Sequence, residues 1–365
     1  MPVLLNPLKG AGLPPDAEIA GGDIETSPKA ANALIASCPR AGTTPLVLAD
    51  ALAGRLGVET LYVKDERGRM GLGSFKALGA AHAIAKAAWR RIVETGEAEA
   101  YATALAGETY VCASAGNHGL SVAAGAHVFG AQAVIYLADA VPEDFAGRLR
   151  AKGARVVRAG DTYEGSMAAA AQAARDNGWK LLSDSSWPGY TELPRDVMEG
   201  YLVMGDEAAR QIDRLDTDAP THVFLQAGVG GLAAAGAATV RRSWGPEPVI
   251  VVVEPDAAPA LLESVRAGKP VTTTGPVSTM GRLDCKDPSH LALKYLAREA
   301  DVFMTVTDAQ AQETVDLLAE HDLATSPSGG AGIAGLHHIG DAAGSLGLDE
   351  TSRVLSIVSE GPVDA

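Results

Sequence analysis

Two hydrophobic rhythms alternate along this chain. Short apolar runs rich in Val, Ile and Leu are each followed by a longer alanine-rich stretch whose polar residues recur at helical spacing. The runs predict strands over 59–64, 110–113, 133–137, 154–158, 180–183, 221–226, 249–254, 301–305 and 354–358. The stretches predict helices over 49–56, 80–93, 119–129, 142–151, 163–177, 196–215, 231–244, 259–267, 308–321 and 332–343. Strands alternating with helices read as βαβ units, so an α/β fold is expected, its sheets mainly parallel and flanked by helices. The first forty residues lack this rhythm and read as an irregular arm with one short helix near 29–36. The charged, alanine-rich segment 94–108 is expected to face solvent. Turn residues at Trp187-Pro188-Gly189-Tyr190 and Pro194 divide the rhythm into two blocks.

With 365 residues, 47% of them hydrophobic, the chain is long enough for two cored domains. The expected division is a larger domain of 1–80 plus 190–365 and a smaller one of 81–189. A formal net charge of −15 argues against a nucleic-acid or anionic-membrane partner, because either would repel a surface of that sign. A small phosphate-bearing ligand stays open, since local dipoles can hold it. No apolar run reaches the length of a membrane span. Cys38, Cys112 and Cys285 fit neither a disulfide framework nor a zinc pattern, so reduced thiols, a cytoplasmic protein and no metal site are expected.

Four strand-to-helix junctions carry candidate chemistry. In Gly71-Leu72-Gly73-Ser74-Phe75-Lys76 a lysine stands where a glycine-rich turn hands over to a helix. The helix dipole there disfavours an ammonium, which would lower the Lys76 pKa and favour a nucleophilic amine; the alternative is an ordinary solvated lysine. Gln226-Ala227-Gly228-Val229-Gly230-Gly231-Leu232 has glycines that let backbone N–H groups approach an anion, so Gly228, Val229, Gly230, Gly231 and Leu232 form a candidate phosphate cradle, or a tight turn only. In Ser114-Ala115-Gly116-Asn117-His118-Gly119 hydroxyl, amide and backbone N–H groups converge on a helix N-terminus suited to a substrate carboxylate and a ring hydroxyl. His118 by itself is as readily structural as catalytic. Ser356-Ile357-Val358-Ser359-Glu360-Gly361 ends the last strand, and ligands of open α/β sheets bind at such carboxyl ends, which places Ser359 to meet a cofactor.

Taken in this order, from about residue 43 to 361, the motifs resemble the pyridoxal-phosphate enzymes of fold type II, the tryptophan-synthase β-like superfamily. The resemblance implies two domains with pyridoxal 5'-phosphate in the cleft between them, and a homodimer. It implies that Lys76, preceded by Lys64-Asp65-Glu66, holds the cofactor as an imine. It further implies that Gly228 to Leu232 bind the phosphate, Asn117 the ring hydroxyl, and Ser359 the pyridine nitrogen. Asp184-Ser185-Ser186-Trp187-Pro188-Gly189-Tyr190 and Leu193-Pro194-Arg195-Asp196-Val197-Met198-Glu199-Gly200-Tyr201 are similar to the diaminopropionate ammonia-lyase family, where the aspartate at the Asp184 position lies near the substrate. Asp184 is thus a candidate acid or base, or a helix- or turn-capping residue.

Several stretches depart from that family. Ala115 stands where it has an aspartate, and the Ser114-Ala115-Gly116-Asn117-His118 loop is instead similar to threonine and serine dehydratases. Gly281-Arg282-Leu283-Asp284-Cys285-Lys286 brings cations where the family has small and apolar residues, and Pro327 replaces an expected glutamate. The implied reaction is α,β-elimination on a small β-substituted amino acid, giving a 2-keto acid and ammonia. Ser114, Ala115, Gly116, His118, Arg282 and Lys286 are candidate substrate-binding residues. If Arg282 or Lys286 faces the pocket, it would pair with a side-chain carboxylate, as in a 3-hydroxyaspartate-like substrate; otherwise the two cations form a surface cluster with Asp284 and Asp287. An amino-acid racemase or a β-replacement enzyme on the same scaffold is the alternative.

Overall fold

The computed structural model describes residues 2–38, 40–96, 101–215 and 217–362. Its strands are β1 (Val3–Leu5), β2 (Leu46–Leu48), β3 (Thr60–Asp65), β4 (Thr109–Ala113), β5 (Gln132–Leu137), β6 (Arg155–Arg158), β7 (Lys180–Leu181), β8 (His222–Gln226), β9 (Val249–Pro255), β10 (Val302–Val306) and β11 (Arg353–Val358). They form a seven-stranded sheet in the order β1-β10-β9-β8-β11-β3-β2 and a four-stranded sheet in the order β6-β5-β4-β7. Pairing is parallel throughout the small sheet and in the interior of the large one. β8 and β10 are buried along their whole length, as strands covered by helices on both faces must be.

The two edge strands of the large sheet were not foreseen. β1 pairs antiparallel with β10, and β2 with β3. Each spans three residues beside a proline, too short for a hydrophobic period to register, and each takes its conformation from the edge it covers. The irregular first forty residues therefore contain a strand as well as the expected Lys29–Ala36 helix. Of the segment 94–108, residues 97–100 lie outside the described residues; Leu105 is buried rather than solvent-facing.

Among the described residues several helices are displaced from their expected positions and one was not foreseen. The helix containing Lys76 spans Lys76–Thr95, so the lysine is its first residue. The helix expected over 332–343 spans Pro327–His337, with Ser326 accepting from Gly329 N and proline in the first turn, where its missing N–H costs nothing. Its glycines serve packing: a Cβ on Gly332 would lie 2.7 Å from Ser356 Oγ, and one on Gly335 2.6 Å from Val253 Cγ2. The helix His290–Glu299 had no predicted counterpart.

The Lys76–Thr95 helix packs on the long helix Glu192–Asp213. Two glycines set their approach. A Cβ on Gly79 would stand 2.6 Å from the Tyr201 ring, and one on Gly200 only 2.5 Å from Leu78 O. Backbone therefore meets backbone, and the start of the lysine-bearing helix is fixed by close packing. Among the described residues no helix is long and apolar enough to cross a membrane.

Candidate active site

Three adjacent strands of the large sheet, β8, β11 and β3, end at the same side and deliver three loops there. β8 runs into Ala227 and the glycine turn, β11 into Ser359 and Glu360, and β3 into the turn that leads to Lys76. In the small sheet β4 ends at Ser114, and its neighbour β7 leads to Asp184. Carboxyl ends of parallel strands therefore converge on one cleft from both sheets.

Hydrogen bonds tie these loops together. Phe75 N donates to Ser359 O at 3.0 Å, which fixes Lys76 beside the end of β11, and Gly361 N donates to Gly73 O at 3.1 Å. Asn117 Nδ2 donates to Glu360 Oε2 at 2.6 Å, joining the small-sheet loop to the large sheet. Arg282 Nη1 donates to Glu360 Oε1 at 2.8 Å, and Ser326 Oγ bonds the same carboxylate. Arg282 also stands beside the small-sheet loop, with Nε 3.8 Å from where a Gly116 Cβ would be.

Lys76 Nζ forms an ion pair and hydrogen bond with Asp184, about a fifth of each side chain being exposed. The Tyr201 and Phe75 rings flank the amine, with centroids 5.8 and 5.2 Å from Nζ. Burial would lower the Lys76 pKa, but the Asp184 carboxylate outweighs it and holds the ammonium well above the ordinary lysine range. This corrects the expectation from the helix dipole: a full charge in contact exceeds the half-charge of a helix end. Asp184 is likewise held well below the usual carboxylate range, because Lys76 and then His118 overcome the upward push of burial.

The glycine turn has the character of an anion cradle. Gly230 adopts φ +103° as the cap of the Gly231–Trp244 helix, leaving the first-turn N–H groups of that helix without intrahelical acceptors. A Cβ on Gly228 would lie 3.0 Å from Cys285 Sγ and 3.1 Å from Leu283 Cα, so the backbone here passes directly against the 282–285 loop. Tyr201 adds a buried hydroxyl without a hydrogen-bond partner among the described residues. A lysine amine, a glycine cradle at a helix N-terminus and an unpaired buried hydroxyl are groups that fit a phosphate-bearing carbonyl cofactor.

Residues 38–360 match the family described as pyridoxal-phosphate dependent enzyme. The chain belongs to that family. Its cofactor is pyridoxal phosphate. The chain is 31% identical over 338 residues to the diaminopropionate ammonia-lyase of Escherichia coli (strain K12), covering 88% of this chain and 85% of that one. It is 30% identical over 294 residues to a chloroplastic biosynthetic threonine dehydratase of Arabidopsis thaliana, covering 80% of this chain and 45% of the relative. The crystal structure of Escherichia coli diaminopropionate ammonia lyase in complex with D-serine superposes with a TM-score of 0.87 at 28% identity, covering 99% of this chain and 93% of that one. This pyridoxal-phosphate dependent enzyme therefore has ammonia-lyases and dehydratases as relatives, and the fold-type II architecture.

The remaining residues singled out from the sequence divide. Ser114 Oγ accepts from Gly116 N at 3.2 Å and shapes its loop, while Ala115 is exposed at the loop's tip. His118 is buried, with Nε2 2.8 Å from Leu182 O, so it braces the chain leading to Asp184. Burial lowers its pKa. Lys286 is corrected: its Nζ donates to Ala257 O at 2.8 Å, Pro276 O at 3.0 Å and Asp284 Oδ1 at 2.5 Å, which places it in the surface cluster rather than the cleft. Arg282 leaves that cluster for Glu360. Three further residues at the cleft were not picked out: Glu360, Tyr201 and Cys285. Glu360 and Tyr201 stood within quoted motifs, but only the third dimension turns them toward Arg282 and Lys76.

Proposed function

We propose that this enzyme is a lyase that eliminates the β-substituent of a small amino acid, releasing a 2-keto acid and ammonia, and that its substrates carry a side-chain carboxylate, as 3-hydroxyaspartate does. The observation that carries the elimination is the Lys76–Asp184 pair. Its two walls correspond to domains of 1–80 plus 190–365 and of 81–189. Similarity to ammonia-lyases and dehydratases supports the reading.

Lys76, the Gly228 to Leu232 turn, Asn117 and Ser359 would hold pyridoxal phosphate, which would supply the electron sink for charge developing at Cα. The chain supplies the proton handling. The free Lys76 amine takes the Cα proton, and the Asp184 carboxylate paired with it stabilises the ammonium so formed. The pair thus holds a proton next to the reacting carbons for a departing hydroxide or amine. Ser359 offers a neutral hydroxyl rather than a carboxylate to the ring, which suits rapid loss of a β-substituent.

Arg282 supports the substrate class. Glu360 takes one of its N–H groups, and its Nε stands 3.8 Å from where a Gly116 Cβ would be, on the loop with Ala115, where a carboxylate would repel an acidic substrate. The test is a keto-acid and ammonia assay over β-hydroxy and β-amino acids of both enantiomers, with Lys76→Ala as control. Equal release of both products, abolished by Lys76→Ala, is expected. Formation of the enantiomer without keto acid would replace elimination by racemisation. Arg282→Ala is expected to cut the preference for acidic over neutral substrates at least tenfold; an unchanged preference would remove the carboxylate from the assignment.

A further inference from the structure

Away from the cleft, Glu313, His337 and His338 each bring a ligand atom to within 4.8 Å of the others. Glu313 lies on the helix Asp308–Ala319, and the helix Pro327–His337 ends on His337 with His338 as its cap. The backbone leaves helical geometry at His338, φ −113°, which brings the two imidazoles together with centroids 4.2 Å apart.

Hydrogen bonding prepares the His337 ring as a ligand. Thr314 Oγ1 donates its proton to Gln310 O at 2.9 Å, so toward His337 Nδ1, at 3.0 Å, it acts as acceptor. Nδ1 therefore carries the hydrogen and Nε2 keeps its lone pair, the tautomer a metal requires, oriented through the other nitrogen as ligating histidines are. Among the described residues His338 Nε2 is buried without a hydrogen-bond partner, and it lies 3.8 Å from Glu313 Oε2. That is too long for a hydrogen bond. It is close to the roughly 3.3 Å separating two tetrahedral ligands bound at about 2.05 Å. A cation is also favoured at a helix C-terminus, where carbonyl oxygens point outward.

We infer that Glu313, His337 and His338 form a binding site for a zinc-type dication, with water in the fourth position. The site acts on the Pro327–His337 helix, about 16 Å long at 1.5 Å per residue. Ser326, at its other end, bonds Glu360, and Ser328 Oγ accepts from Arg282 N at 3.1 Å. A metal at the far end restrains the element that carries these contacts.

The test is dialysis of the holoenzyme against micromolar zinc followed by metal analysis, with thermal unfolding in zinc and in chelator. Glu313→Gln and His338→Gln are the variants. One zinc per chain and a rise of several degrees in Tm are expected for the wild type. Each variant should bind at least tenfold more weakly, lose the rise, and keep wild-type turnover in chelator. Glu313 is two-thirds exposed, so Glu313→Gln remains decisive if His338→Gln folds poorly. Absence of retained zinc in the wild type overturns the site, as does equal retention by Glu313→Gln.

Discussion

Arg69 offers the most demanding test of how the Lys76 turn is held. Its guanidinium is 1% exposed and reaches Glu66 Oε2 at 2.7 Å, Glu66 Oε1 at 2.7 Å, Glu207 Oε1 at 2.9 Å, Glu207 Oε2 at 2.6 Å, Gly42 O at 2.8 Å and Thr44 Oγ1 at 2.8 Å. Lys64 Nζ completes the set, bonded to Glu207 Oε2 at 2.8 Å and Thr44 O at 2.7 Å. Two cations thus face two carboxylates. Arg69→Met leaves Lys64 alone against Glu66 and Glu207, and breaking a buried pair from one side costs about 3–5 kcal/mol. Set against a total stability of about 5–15 kcal/mol, that is a large fraction of the fold's margin. Urea unfolding of the holoenzyme at neutral pH measures it. The Arg69→Met, Glu66→Leu double variant restores the balance to Lys64 against Glu207 and is expected to be more stable than the single variant. A single variant within 1 kcal/mol of wild type, or a double variant less stable than the single, would refute the charge-balance reasoning.

Gly79→Ala gains about 1 kcal/mol of helix propensity but drives a Cβ to 2.6 Å from Tyr201 Cε1 and 2.7 Å from Val197 Cγ1. Overpacking of about 1–3 kcal/mol should prevail, giving net destabilisation in urea melts. Glu254 is fully buried, and burial pushes its pKa up to about 8 despite the N–H groups of Leu261 and Leu262. The folded state therefore binds the proton more tightly than the unfolded one. Its contribution is greatest below the unfolded value and is lost as pH rises through about 8. The stability difference between wild type and Glu254→Gln, followed from pH 4.5 to 9, should shift steadily against the wild type; a pH-independent difference would contradict this. Lys286→Met should leave kcat and substrate preference unchanged while lowering stability, because its partners are Ala257, Pro276 and Asp284; a changed acidic-to-neutral preference would return it to the cleft.

What could be read from the sequence was what depends on local pattern. The parallel strands declared themselves as apolar runs, and the helices Tyr163–Asn177 and Gly231–Trp244 begin and end at the expected residues. Elements defined by partners were illegible: β1 and β2 are strands only because β10 and β3 offer them an edge. The Pro327–His337 helix was displaced in the reading because glycines, normally helix breakers, are required there for contact with β8, β9 and β11. Lys76, Asn117, Ser359 and the glycine turn were accessible because each follows a strand. The raised pKa of Lys76, the divergent paths of Arg282 and Lys286, and the place of Glu360 among Asn117, Arg282 and Ser326 depend on groups distant in the chain.

The glycine crossing at Gly79 and Gly200 bears on how this scaffold changes its chemistry over time. The two helices that meet there carry the chain between the sheets, one outbound after β3 and one returning after β7. With backbone in contact at the crossing, neither helix can shift to enlarge the cleft without a steric penalty. Natural variation or laboratory selection for a new substrate is thereby channelled into the 114–117 and 281–286 loops, whose side chains can be exchanged while the strut and the lysine it carries stay fixed.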